Sequence, residues 1–327
     1  MLRVFAIDPK ICQNLDWFRY CTEHCQPSQG RVIADLPSGQ WYENANAILD
    51  QHVQELNLPP IKVRSLKSCL NIVRGQLVDR PGTEQTSWYD ISQFSWITEI
   101  DKEHRREPFS AVVSPDYAGA EDTELKYHPD ELNRTVEAWN TPSGVSITRS
   151  PGEFVNAILP MLRIASNIHF LDRYFNVDSN SSFTQNYMQI IQDLASYYDP
   201  FPSLIIHCCP DENDTPDLDY FENELNKHYA HLIPTGKSVK VLLWQTNQDA
   251  QIERGAHPFH NRYVLSNHCG VIAGYGTDSA KTVTDAPDVL QIVDHKIYLE
   301  LWNQSQDETF PMIHIEEENK FVINGTK

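Results

Sequence analysis

Three apolar runs of strand length constrain this chain most: Ile168-His-Phe-Leu171, Leu204-Ile-Ile-His-Cys-Cys209 and Val239-Lys-Val-Leu-Leu-Trp244. Runs this short and this continuous read as strands buried on both faces. Each is separated from the next by residues with helical periodicity. In 183–197 the apolar positions are Tyr187, Ile190, Ile191 and Leu194, and a further helix is expected over 217–232. Residues 151–165 precede the first run with Phe154, Ile158, Leu162 and Ala165 on one helical face, kinked at Pro160. After the third run come short strands at Tyr263–Leu265 and Gly270–Ala273, a helix over 294–303 and a last strand at Pro311–Glu316. Strands alternating with helices predict an α/β fold, with a largely parallel sheet and helices on both faces.

The first half alternates too. Strands are expected at Val4–Ile7, Arg31–Ala34, Ile61–Val63 and Ala111–Val113, and helices near 14–25, 41–56 and 66–78. Turn chemistry at Asn140-Thr-Pro-Ser-Gly144 and Ser150-Pro-Gly152 marks a join. The expectation is two α/β units, 1–145 and 151–327. A length of 327 residues accommodates two cores.

Charge narrows the function classes. The chain carries 45 Asp and Glu against 26 Lys and Arg, a net charge of −19. Coating nucleic acid by charge alone is excluded, because that mode rests on Lys and Arg at phosphates. A small local phosphate site, or a metal site built from carboxylates, survives. No apolar run approaches the ~20 residues of a spanning helix. The start of the chain, Met-Leu-Arg-Val-Phe-Ala-Ile-Asp, reads as a strand. Seven cysteines at irregular spacing point to a reduced, cytoplasmic protein. Cys21-Thr-Glu-His24-Cys25 lacks a second ligand pair for zinc and reads as a helix face with buried thiols.

The densest chemical signal is Phe259-His-Asn-Arg-Tyr-Val-Leu-Ser-Asn267, followed by Gly274-Tyr-Gly276. Its spacing resembles the phospholipase D superfamily, whose motif is His-x-Lys, four residues, Asp, six residues, Gly-Ser. Here Arg262 stands for the lysine, Asn267 for the aspartate and Gly274-Tyr275 for Gly-Ser. The resemblance covers about 151–327. It implies a phospholipase D-like sheet in which His260 is the nucleophile, Arg262 neutralises phosphoryl charge and Asn267 orients an imidazole. It implies no cofactor, and it implies a homodimer, because a second histidine must protonate the leaving oxygen.

Single, inactive phospholipase D-like halves also occur at the C-termini of proteins with microtubule-interacting and trafficking domains. Leu171-Asp-Arg-Tyr-Phe175 and His260-Asn-Arg262 are similar to their paired signatures. That resemblance implies a non-catalytic module for phosphate or a partner protein. Either way, ligands are expected at the carboxyl ends of the parallel strands. Asp172, Arg173 and His207 are the phosphate-binding candidates there, with Gln245 a plain strand-end residue.

In the first half, Asp8 ends the first strand, Glu43 follows on a helix and Ser114-Pro-Asp116 follows a late strand. This order resembles PIN-type nucleases. It implies Mg²⁺ or Mn²⁺ held by Asp8, Glu43 and Asp116, with Asp90, Glu99 and Asp101 competing for a further acidic position. The aromatic stretch Ser87–Ile97 is expected to pack between the halves. The leading expectation is a phosphodiester-handling protein of nuclease type or its degenerate relative. The alternative is a binding module or a subunit of a larger complex, such as a bacterial phage-defence system.

Overall fold

The computed structural model begins with alternating elements: β1 (Arg3–Ile7), α1 (Leu15–His24), β2 (Arg31–Ala34), α2 (Trp41–Glu55), α3 (Pro60–Arg74), β3 (Leu77–Val78), α4 (Trp96–Arg106), β4 (Ala111–Val113) and β5 (Lys126–Tyr127). The structure describes the chain except residues 38, 81–95, 118–124, 133–135, 149–151, 178–181, 198–199, 211–215, 247–258, 260 and 275–286, and the side chains of 182 and 183. Contacts divide the chain into two units, Leu2–Pro142 and Ser143–Lys327, the second taking in Met1.

In the first unit the strands form a five-stranded sheet in the order β3-β2-β1-β4-β5, every pairing parallel. Alternate residues face opposite ways. Phe5, Ile7, Ile33, Ala111 and Val113 pack with Trp41 and Leu49 of α2 and Leu70 of α3. Ala6, Ala34 and Val112 face the other way, against Trp96 and Ile100 of α4 and Phe109. Helices therefore cover both faces, as a parallel sheet requires. Trp96, from the stretch expected to pack between the halves, is buried within this unit; residues 87–95 of that stretch lie outside the described residues.

Two local expectations are corrected. Ile61–Val63 is not a strand but the first turn of α3, which Pro60 opens at a position where its missing N–H costs nothing. Ile61 is 78% exposed, so its apolar side chain carried no burial signal. The join after Pro142 holds β6 (Gly144–Ile147), a strand of the second unit's sheet.

The second unit continues with α5 (Glu153–Leu162), β7 (Asn167–Leu171), α6 (Ser182–Tyr197), β8 (Ser203–Cys208), α7 (Leu218–Tyr229), β9 (Ser238–Leu243), β10 (Gln245–Thr246), β11 (Arg262–Ser266), β12 (Gly270–Ala273), β13 (Asp288–Ile292), α8 (His295–Gln306), β14 (Ile313–His314) and β15 (Lys320–Asn324). Its eight-stranded sheet runs β15-β9-β8-β7-β11-β12-β13-β6. Only β7, β8 and β9 are mutually parallel; the remaining neighbours pair antiparallel. The expected largely parallel sheet is thus a mixed sheet with a parallel centre. The physical reason is chain length: the short link from Ser266 to Gly270 cannot carry a crossover, so β11 and β12 form a hairpin.

Helices lie on both faces of this sheet as well. Phe170 meets Tyr187 of α6 edge to face at 4.9 Å, and Phe221 of α7 packs on Phe321 of β15. On the other face Leu171, Leu242 and Leu265 pack with Tyr298 of α8. Among the described residues no helix is long and apolar enough to cross a membrane.

Candidate functional site

β7 ends where the chain turns outward, and one buried carboxylate shapes that turn. Asp172 is fully buried; its backbone N–H donates to the His207 carbonyl at 3.0 Å, and its Oδ1 accepts the Tyr174 N–H at 3.0 Å. Phe175 N–H donates back to the Asp172 carbonyl. The turn presents Arg173 and leaves the Tyr174 ring half exposed. β11 lies antiparallel beside β7 with Tyr263 opposite Leu171, so Arg262, one residue earlier, stands beside the same turn. The guanidinium carbon of Arg262 lies 4.7 Å from the Tyr174 ring centroid and that of Arg173 lies 5.7 Å from it. Both distances suit cation–π contact. Arg262 Nη1 donates to the Gly274 carbonyl at 2.9 Å, while its buried Nε has no hydrogen-bond partner.

Of the sequence candidates, Asp172, Arg173 and Arg262 therefore come together. Asp172 acts as the post of the turn rather than as an exposed ligand group. Tyr174 was missed, although it sits within the Leu171–Phe175 signature and needed only to be read as a surface for the arginines. His260 lies outside the described residues. Asn267 lies beyond the far end of β11: its Oδ1 accepts the N–H groups of Ser166 and Asn167 at 2.9 and 3.3 Å, tying down the start of β7. It does not join the Arg262 end of the strand.

His207 is corrected from phosphate ligand to core residue. Its side chain is fully buried among Trp244, Phe259 and Phe310. Trp244 Nε1–H donates to His207 Nδ1 at 3.2 Å, which leaves the His207 proton on Nε2. That N–H donates to His169 Nδ1 at 2.9 Å, and His169 Nε2 meets the Gln306 amide Nε2 at 2.6 Å. Burial holds both imidazoles neutral: it lowers His169 to about 4, and it lowers His207 well below the ordinary range with help from the neighbouring His169. Every ring nitrogen is engaged, so the pair offers nothing to a ligand. Gln245 pairs with His314 in the short β10–β14 ribbon.

The first unit places its candidates at the β1–β4 junction, where crossovers leave in opposite directions and ligands collect in parallel sheets. Asp8, 2% exposed, accepts the Lys10 N–H at 2.9 Å and the Ser114 hydroxyl at 2.7 Å. The Lys10 ammonium forms a short ion pair with Asp116, whose own N–H donates to Ser114 Oγ. Burial raises the Asp8 carboxyl, partly offset by those two hydrogen bonds and by the charge of Lys10. Asp35, at the end of β2, caps the start of α2 through the Trp41 N–H, and burial raises it too.

Glu43 faces solvent on α2. Glu99 pairs with Lys102 and Asp101 with Lys126; Asp90 lies outside the described residues. Among the described residues no group of three His, Cys, Asp or Glu side chains is arranged to hold a metal ion. As arranged, Asp8, Glu43 and Asp116 do not fit Mg²⁺ or Mn²⁺: a lysine ammonium holds Asp116, the Asp8 oxygens are engaged, and Glu43 stands apart. Lys10 was not a sequence candidate; its place directly after strand-ending Asp8 and Pro9 was the available signal.

Cys21 and Cys25 are buried in the α1 face of the core, and burial pushes the Cys21 thiol up to about 12 and Cys25 well up. Protonated thiols are poor zinc ligands. No protein-family model matches the chain, and no curated protein matches it either.

Proposed function

We propose that this protein handles phosphodiesters by recognising a phosphoryl group at the Arg173–Tyr174–Arg262 cluster of a phospholipase D-like C-terminal unit. The observation that carries the reading is the convergence of two guanidinium groups, one from the turn after β7 and one from β11, on one tyrosine ring. Two guanidinium groups beside one ring supply positive charge and donor forks of the kind a phosphoryl anion accepts from. Asp172 positions the turn, and Tyr174 keeps both guanidinium planes ordered before the ligand arrives. The spacing of His260, Arg262 and Asn267 supports the family reading. The placement of Asn267 at the far end of β11 favours recognition over phospho-histidine chemistry.

A second reading, a PIN-like nuclease, is favoured by the β3-β2-β1-β4-β5 order with Asp8 and Asp116 at its junction. The ion pair of Lys10 and Asp116 weighs against it.

The test is a titration of purified full-length protein with inorganic phosphate, followed by phosphorus NMR line broadening, beside Arg262→Met. DNA and RNA cleavage with and without EDTA is run on the same proteins and on His260→Ala. Phosphate binding that falls by about tenfold or more in Arg262→Met is expected. Cleavage that survives EDTA and is lost in His260→Ala would add the phospho-histidine route, which also needs a solution mass above the 37.6 kDa of one chain. Absence of any phosphate binding sinks the proposal.

A further inference from the structure

A cavity of about 380 Å³ opens beside the arginine cluster, at the carboxyl ends of the parallel strands. That size lies within the range of small-ligand sites, ~300–1,000 Å³. Among the described residues its walls come from the turn after β7, Pro210, Pro216, the start of α7 and Leu243 at the end of β9. The phosphate cluster and the cavity therefore share Arg173 and Tyr174.

The remaining walls have a definite chemistry. Tyr220, on the first turn of α7, is as exposed as Tyr174, 49% for each ring-bearing residue. Asn176 lines the cavity as well. Phe175, Phe221 and Leu243 close the floor. Half-exposed aromatic side chains beside an arginine suit a flat heteroaromatic ring that stacks and carries a phosphate. A chain of net charge −19 is repelled by anionic lipid surfaces. Asp217 caps the N-terminus of α7 by accepting the Tyr220 N–H. That end of the helix is thereby occupied by a carboxylate, and the anion is directed to the arginines instead.

We propose that the cavity takes the base of a nucleotide whose phosphate lies at Arg173 and Arg262, so that the ligand is a nucleoside phosphate, free or at the end of a strand. This rests on the phosphoryl-recognition reading above and adds the base to it.

The test compares AMP, ribose 5-phosphate and inorganic phosphate by isothermal titration of the full chain. AMP is expected to bind about tenfold more tightly than ribose 5-phosphate, the increment of one stacked base. Tyr220→Ala should abolish that gap and leave ribose 5-phosphate affinity unchanged, while Tyr220→Phe, which keeps the ring, should retain it. A 5′-phosphorylated trinucleotide that displaces AMP identifies a strand end as the ligand, and one that does not identifies the free nucleotide. Equal affinity for AMP and ribose 5-phosphate, or a gap that persists in Tyr220→Ala, overturns the base site while phosphate recognition stands. If none of the three phosphates binds, both readings fall.

Discussion

Arg262 lays its guanidinium 4.7 Å from the ring centroid of Tyr174, and the turn after β7 and the start of β11 that carry them are brought together by the pairing of β7 and β11. A flat, delocalised cation stacks on that ring while keeping its donor fork. Arg262→Lys keeps the charge and loses the stacking and the fork. Its affinity for inorganic phosphate should fall about tenfold, and Tyr174→Leu should fall by a smaller factor. Titration calorimetry reads both; a Lys variant that binds like wild type would show that charge alone suffices.

His169 and His207 give the second unit an acid-sensitive core. Both are neutral when folded, with His169 at about 4 against an ordinary 6.5 and His207 well below 6.5. The unfolded chain therefore binds more protons than the folded one between about 6.5 and about 4. Stability is full above pH 6.5 and falls as the pH drops through that window, by at most about 1.4 kcal/mol per pH unit for each histidine. His207→Phe should flatten this slope in urea denaturation run at pH 7, 6 and 5. It should also cost about 1–3 kcal/mol at pH 7, because the Trp244 N–H loses its acceptor.

Lys10 neutralises the crevice of the first unit from within. Wild-type protein should show no Mn²⁺ binding at Asp8 and Asp116 by electron paramagnetic resonance. Lys10→Ala frees Asp116 and removes the cation facing Asp8, and should gain a Mn²⁺ signal that Asp116→Asn removes again. The lost ion pair itself, roughly half exposed, is worth only about 0–1 kcal/mol, so the variant should fold.

Gly325 follows β15 against the backbone of Ile233 and Pro234. A Cβ there would lie 2.2 Å from the Pro234 carbonyl oxygen and 2.5 Å from that of Ile233. Neither atom can step aside, and Gly325→Ala should cost about 1–3 kcal/mol by thermal denaturation. Gly75→Ala, with its nearest atom at 3.6 Å and right-handed backbone, serves as the tolerated control.

Long, continuous apolar runs were the legible part of the fold. β7, β8 and β9 lie within a residue or so of where Ile168–Leu171, Leu204–Cys209 and Val239–Trp244 placed them, because both sides of those strands are buried. Edge elements were not legible. In β15 the pattern is short, with Phe321 and Ile323 buried and Val322 exposed, and the more apolar stretch just before it drew the assignment of the last strand. β6 hid inside turn chemistry. At the Arg173–Tyr174–Arg262 cluster, strand-end position sufficed to bring forward Asp172, Arg173 and Arg262. It misplaced His207 because one position along a strand decides between crevice and core, and no local signal distinguishes them. Motif spacing counts residues and did not show that the five residues of β11 set Asn267 apart from Arg262.

The two arginines of the cluster also differ in how their strands acquire partners during folding. β11 meets β12 across a tight local hairpin, which closes in microseconds, whereas β7 meets β11 only after a long stretch of chain has been drawn together. Arg262 therefore lies on a locally closed ribbon, and Arg173 comes beside it only through the long-range pairing of β7 with β11. On the proposed function, a chain that lacks this pairing lacks the second guanidinium, and ligand affinity would read out completed long-range pairing.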